Sequence, residues 1–97
     1  RLRIEEDGLE KALVNYQKAL QTYEDLGKKD SRAYLPYIAA VAYNLSTFYL
    51  QCLSDKEKSG SFAKNVIEIA RKFPQLPRVQ EYSKSAEQVL ESIQRGN

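Results

Sequence analysis

The residue types that most often perform chemistry are almost missing from this chain of 97 residues. It has no histidine and one cysteine, Cys52. With no imidazole to act as base, no catalytic set can be assembled around that thiol. The four glycines never cluster into a loop that would cradle a phosphate. A metal site fails for want of histidine and of further cysteines. The carboxylates alternate with lysines at helical surface spacing, which reads as a solvated face. The expectation is a chain that is not an enzyme and needs no cofactor or metal.

What remains are side chains suited to holding something. No charge occurs between Pro36 and Ser54. Within that stretch Ile38, Val41, Ala42, Leu45, Phe48, Tyr49 and Cys52 form one helical stripe, and Tyr37, Ala40, Tyr43, Asn44, Thr47 and Gln51 form a second. A helix that is apolar or weakly polar nearly all round is packed on more than one side, or covered by a ligand. Tyrosine offers apolar area with a hydroxyl, and asparagine offers two donors and an acceptor. Cys52, in the apolar stripe, reads as a small buried hydrophobe.

Four helices would position these residues. The first is predicted from about Ile4 to Lys28, with Leu9, Ala12, Leu13, Tyr16, Ala19, Leu20, Tyr23 and Leu26 at spacings of three and four. Glu5, Glu6 and Asp7 suit the positive end of its dipole. The second is introduced by Pro36, favoured in a first turn, and runs to about Leu53. Ser54-Asp55-Lys56-Glu57 has the form of a capping box. A connection rich in Ser, Lys and Gly follows. The third helix covers about 61–73, with Phe62, Ala63, Val66, Ile67, Ile69, Ala70 and Phe73, and stops before Pro74. The fourth runs from Pro77 to about Gln94 on a stripe of Val79, Tyr82, Ala86, Val89, Leu90 and Ile93, and Gly96 is placed to end it.

The small residues recur at a fixed interval. Ala12, Tyr16 and Ala19 are matched by Ala63, Ile67 and Ala70, and the second helix carries Leu45-Ser46 with Tyr49 one turn later. These patterns resemble the tetratricopeptide repeat family, which alternates an A helix (Leu-small-x-x-Tyr) with a B helix (Ala-x-x-x-aromatic-x-x-Ala). By that resemblance residues 8–28 are a B helix, 36–53 an A helix, 61–73 the next B helix, and 77–94 a terminal A-like or capping helix. The segment Ala33-Tyr34-Leu35-Pro36-Tyr37-Ile38-Ala39, followed by Tyr43-Asn44-Leu45, is similar to the longer, kinesin-light-chain-like variant. The expected fold is therefore all-α: one domain over residues 1–97, a segment of right-handed superhelix made of antiparallel helix-turn-helix repeats. The chain departs from the family in three places. The connection between the first two helices exceeds that of the short repeat. The stretch from Tyr49 to Ala63 is about five residues too long, roughly 1.4 helical turns to be absorbed. The fourth helix carries no clean family pattern. A plain helical bundle stays open as the alternative.

The resemblance implies a protein-interaction module or scaffold whose A helices hold a peptide or partner protein on a concave face. Tyr43, Asn44, Thr47 and Gln51 would line that face, with Tyr37 at its edge. The alternative for the same residues is that Asn44 bonds a neighbouring helix and the tyrosines pack in the groove. A clamp for a terminal carboxylate is not expected, because the fourth helix offers Val79 and Ser83 where cations are needed. About three repeats are usually required for stability. A chain this short, with no methionine, reads as the C-terminal piece of a longer array, or as one that self-associates through the open side of its first helix.

The charge balance bounds the partners. Fifteen Lys or Arg face thirteen Asp or Glu, a net charge of +2 with no basic block, so the footprint of a nucleic-acid binder is missing. Lys64, Arg71, Lys72, Arg78 and Lys84 form a mild late basic patch that keeps an RNA or membrane-surface adaptor as a further alternative. No run reaches the ~20 apolar residues of a membrane span. A single cysteine favours a reducing compartment, which makes the cytoplasm the default.

Overall fold

The computed structural model describes the backbone of residues 2–96 and the side chains of residues 8–96. It contains four α-helices: α1 (Leu2–Gly27), α2 (Ser31–Gln51), α3 (Lys56–Lys72) and α4 (Pro77–Gln94). No strand occurs among the described residues. The connections are three or four residues long, which turns each helix back along its predecessor. The side chains of Glu5, Glu6 and Asp7, and that of Ile4, lie outside the described residues.

Local chemistry sets the boundaries, and two differ from expectation. α2 begins at Ser31, five residues before Pro36, because Asp30 caps it: its carboxylate accepts from the Ala33 backbone N–H at 3.3 Å. Pro36 therefore sits inside the helix and deprives the Arg32 carbonyl of its partner. Arg32 is exposed, so water can take up that carbonyl. α3 begins at Lys56, about five residues earlier than predicted, and its cap is Asp55 in place of Ser54. Ser54 has φ +53°, outside the extended range that an N-cap adopts. Asp55 accepts from the Lys58 N–H at 3.0 Å and donates its own N–H to the Tyr49 carbonyl at 2.8 Å, joining the end of α2 to the start of α3. The extra residues between Tyr49 and Ala63 are thus absorbed as helix. α4 runs over the predicted span, with Pro77 at its start and Gly96 at φ +83° beyond its end.

α2 is the centre of the fold. It touches α1, α3 and α4; α3 also touches α4, whereas α1 touches α2 alone among the described residues. One core cluster joins α2, α3 and α4 through Ala39, Ala42, Ala63, Val66, Ala70, Val79, Ala86 and Val89. Five of these eight are alanine, so the helix axes lie close. A second cluster centres on Val41, Leu45 and Tyr49 of α2, against Leu13, Tyr16, Ala19, Leu20 and Tyr23 of α1 and Phe62 of α3. Among the described residues the predicted apolar stripes thus face the interior, except at Leu26 of α1 and at Cys52 just beyond the end of α2. Leu26, next to the end of α1, is 41% exposed.

Two buried serines bond α2 to α3. Ser46 and Ser59 are both fully buried. The Ser46 hydroxyl donates to the Ser59 carbonyl and the Ser59 hydroxyl to the Ser46 carbonyl, each at 2.7 Å. The two oxygens are 3.3 Å apart. Both polar groups are satisfied without water, which removes the penalty of burying a hydroxyl.

Two stability outcomes follow from this packing. Ser46→Ala removes one of the paired bonds and should cost about 0.5–1.5 kcal/mol. Ser46→Val forces two methyls into the crossing and should cost about 1–3 kcal/mol more. Urea denaturation of both variants checks the ordering, and equal midpoints would show that the crossing is not tight. Gly60, buried in α3, is different: a methyl there would meet Leu90 Cδ2 and Ile93 Cδ1 at 3.7 Å, an ordinary contact. Gly60→Ala should therefore raise the urea midpoint, by roughly 0.5–1 kcal/mol in free energy, as helix entropy dictates.

Candidate functional site

α2 meets its neighbours on most of its circumference, and the sector left over carries the residues singled out from the sequence. Tyr37, Asn44 and Gln51 are exposed and Thr47 is half-buried. The spacing of seven between Tyr37, Asn44 and Gln51 is nearly two full turns, so the three stand in a row along the helix. Ala40 and Thr47 fill the turns between them. No residue of the row is charged.

Each side chain is prepared differently. Asn44 makes no side-chain hydrogen bond among the described residues, so its amide keeps two donors and an acceptor for an outside group. The expectation that it bonds a neighbouring helix is not met. Thr47 donates its hydroxyl to the Asn44 carbonyl at 3.0 Å and retains only acceptor capacity. Tyr43 departs from the row. It is half-buried, packs on the α2–α3–α4 core, and its ring lies 6.0 Å from that of Tyr82 in α4. Of the two readings for the tyrosines, packing in the groove describes Tyr43 and exposure describes Tyr37.

Tyr37 belongs to a cluster that the sequence reading missed. Its ring stacks on Tyr23 of α1 at 5.3 Å and 20° between planes. Tyr34 completes the group, 6.4 Å from Tyr23 and 6.3 Å from Tyr37. Tyr37 is 46% exposed, so the cluster presents an aromatic surface held in place from beneath. A signal existed: Tyr34 and Tyr37 are three apart, on one helix face, and Tyr23 lies near the other arm of a short hairpin. The starting point of α2 had to be known before that signal could be used.

Other surfaces are less organised. A hollow of about 650 Å³ opens on α1, lined by Glu10, Lys11, Leu13, Val14, Asn15 and Lys18. A groove of about 420 Å³ lies between the start of α3 and the end of α4, floored by Gly60, Leu90 and Ile93 and edged by Lys56, Glu57 and Lys64. The late basic residues Lys64, Arg71, Lys72, Arg78 and Lys84 are all exposed, and Arg71 pairs with Glu68 at 3.6 Å. No three His, Cys, Asp or Glu side chains gather into a metal-binding group among the described residues, and no helix there is long and apolar enough to cross a membrane.

Cys52 stands as a correction. It is exposed, not buried. α2 ends at Gln51, and Cys52 is its C-cap, with its N–H bonded to the Phe48 carbonyl. The apolar stripe continues into Cys52 by periodicity, but the helix and its cover do not.

Comparison with protein-family models, with curated proteins and with solved structures finds no match to this chain.

The position of Cys52 has a measurable consequence. The folded chain should react with a maleimide at a rate within a few-fold of the urea-unfolded chain. Cys52→Ser should shift stability by less than about 0.5 kcal/mol, as surface substitutions do. Strong protection of the thiol in the folded state would contradict its placement.

Proposed function

We propose that the chain is a protein-interaction module, built of tetratricopeptide-like helical repeats, that holds a peptide or partner protein along the exposed row of α2. The observation that carries this reading is the state of α2. Among the described residues it is the one helix that every other helix touches, yet it leaves an uncharged row facing solvent, with Tyr37, Asn44 and Gln51 exposed and Ala40 and Thr47 half-buried. Surface helices ordinarily spend such positions on Lys and Glu. An uncharged row with an unpaired amide and a supported tyrosine suits contact with another chain, where burial of unpaired charge would be costly.

The contact pattern supports the repeat architecture. α2 touches α4 as well as its sequence neighbours, while α1 touches neither α3 nor α4 among the described residues. A closed four-helix bundle would bring its first and last helices together. An open stack, in which alternate helices line one side, leaves its ends free in this way. In that reading α2 and α4 are A-type helices, α1 and α3 are B-type, and α4 caps the stack.

A second reading has its own observation. None of the described side chains of α1 is fully buried, and Val14 stands 44% exposed beside the hollow on that helix. Such a helix is suited to pairing, either with a further helix of an array or with a second copy of the chain.

Binding to the native partner separates these readings. Tyr37→Ala and Asn44→Ala should each weaken capture of that partner by about tenfold, which corresponds to about 1.4 kcal/mol, with an unchanged helical circular dichroism spectrum. Tyr43→Ala is a poorer probe, because Tyr43 also packs against Tyr82 and the core. If Val14→Asp abolishes capture while Tyr37→Ala and Asn44→Ala bind normally, the α2 row is not the binding face.

A further inference from the structure

We propose that α1 is an exchangeable arm: when the turn between α1 and α2 straightens, two copies of this chain trade their first helices and form a domain-swapped dimer. The exchange does not depend on the α2 row as a binding face. Its first support is the way α1 is held. Among the described residues α1 touches α2 alone. Leu13, Tyr16 and Leu20 pack against Val41, Leu45 and Tyr49 of α2. The alanine-rich core shared by α2, α3 and α4 takes nothing from α1. The arm can therefore leave as a unit, but leaving uncovers the buried Val41, Leu45 and Tyr49 and loses their burial energy. The α1 of a second copy restores that cover, because it brings the same side chains to the same surface.

The second support is the turn itself. The two later connections hold residues that a continuous helix does not accept. Ser54 has φ +53° between α2 and α3, and Pro74 follows α3. The connection of Lys28, Lys29 and Asp30 has no left-handed residue and no proline. Its N–H groups stay bonded in helical fashion. Lys28 donates to the Asp25 carbonyl at 3.3 Å, Lys29 to that of Leu26 at 3.2 Å, and Asp30 also to that of Leu26 at 3.3 Å. The chain leaves helical geometry at Asp30, with φ −148° and ψ 82°, where the carboxylate caps α2 through the Ala33 N–H. Rotation of Asp30 to helical angles joins α1 and α2 into one helix, at the loss of that cap. Short hinges of this kind favour exchange.

The third support is register. Tyr23 and Tyr37, stacked at 5.3 Å, lie seven residues before and seven after Asp30. Tyr16 and Phe48, 5.7 Å apart, lie fourteen before and eighteen after it. Two joined helices laid antiparallel about a two-fold axis near Asp30 bring these pairs level again, to within about one turn, now between copies. The dimer rebuilds the contacts of the hairpin and needs no new complementary surface.

The test combines mass by light scattering with a distance between spin labels. Concentrations run from about 10 µM to a few mM, the range that brackets the effective concentration of a short tether. Cys52 is the one cysteine and is exposed, so it takes the label. It lies 22 residues beyond Asp30, which sets the two labels of an exchanged dimer about 65 Å apart along the helices. The expected result is a dimer that grows with concentration and gives that distance. Asp30→Ala removes a cap from each closed hairpin and should tighten dimerisation roughly thirtyfold. Insertion of Gly-Gly-Ser between Lys29 and Asp30 lets the hairpin close but interrupts the joined helix, and should leave a monomer throughout. Val14→Asp, on an exposed position of α1, should leave the dimer intact. A dimer that Val14→Asp abolishes is a pairing of outer faces and overturns the exchange. A label separation far from about 65 Å, or a dimer that survives the insertion, overturns it as well. So does a strict monomer at the highest concentration for both the unaltered chain and Asp30→Ala.

Discussion

The close crossing of α2 and α3 is the constraint on which the other contacts depend. Two buried serines exchange hydroxyl-to-carbonyl hydrogen bonds at 2.7 Å. A hydroxyl is small enough to let the helices approach and polar enough to need a partner, and the reciprocal bonds meet both conditions. Alanines then line the adjacent surfaces: Ala39 and Ala42 of α2, Ala63 and Ala70 of α3, and Ala86 of α4. With those small residues in place, Val66 and Val79 fill the remaining space and become fully buried. A core assembled from small side chains depends on shape more than on apolar area, since each alanine contributes little transfer energy.

That crossing also decides what α2 has left to offer. α3 and α4 take one part of its circumference and α1 takes another, through Leu13, Tyr16 and Tyr23. The remaining sector is narrow and uncharged. Its rigidity is borrowed from the same contacts, because a helix held on three sides cannot fray beneath its exposed row. The tyrosine cluster at the α1–α2 hairpin extends this to a side chain. Tyr37 is kept in position by rings from its own helix and from α1. Affinity gained from such a surface depends on preorganisation and on matched hydrogen bonds more than on area.

The helices were legible because each carries a strong local signal. The stripe of α4 and its flanking Pro77 and Gly96 placed that helix over the span observed. The start of α3 was read about five residues late because the Ser, Lys and Gly residues before Phe62 have the composition of a connection, and of the two cap candidates Ser54 and Asp55 only backbone geometry chooses. Ser54 takes a left-handed φ at the turn, so the cap falls to Asp55, and residues that looked like a polar connection become the first turn of α3. Pro36 misled in a similar way. Proline suits a first turn, but the cap at Asp30 moved that turn upstream, and the buried Leu35 and Ala39 on either side of the proline favour keeping the helix intact through it.

By itself the sequence determined that the chain would form helices, where their apolar stripes lie, and that the second helix would carry an uncharged row. These follow from composition and a 3.6-residue period, which are local properties. Only the tertiary structure decided which members of that row reach solvent. Tyr43 and Asn44 are neighbours in sequence, but Tyr43 turns onto Tyr82 while Asn44 stays unpaired. Cys52 and Phe48 share one stripe, but α2 ends between them, leaving one exposed and the other buried. The partnership of Ser46 with Ser59 and the stacking of Tyr37 on Tyr23 likewise join different helices. Periodicity assigns a residue to a face; what covers that face depends on where the other helices pack.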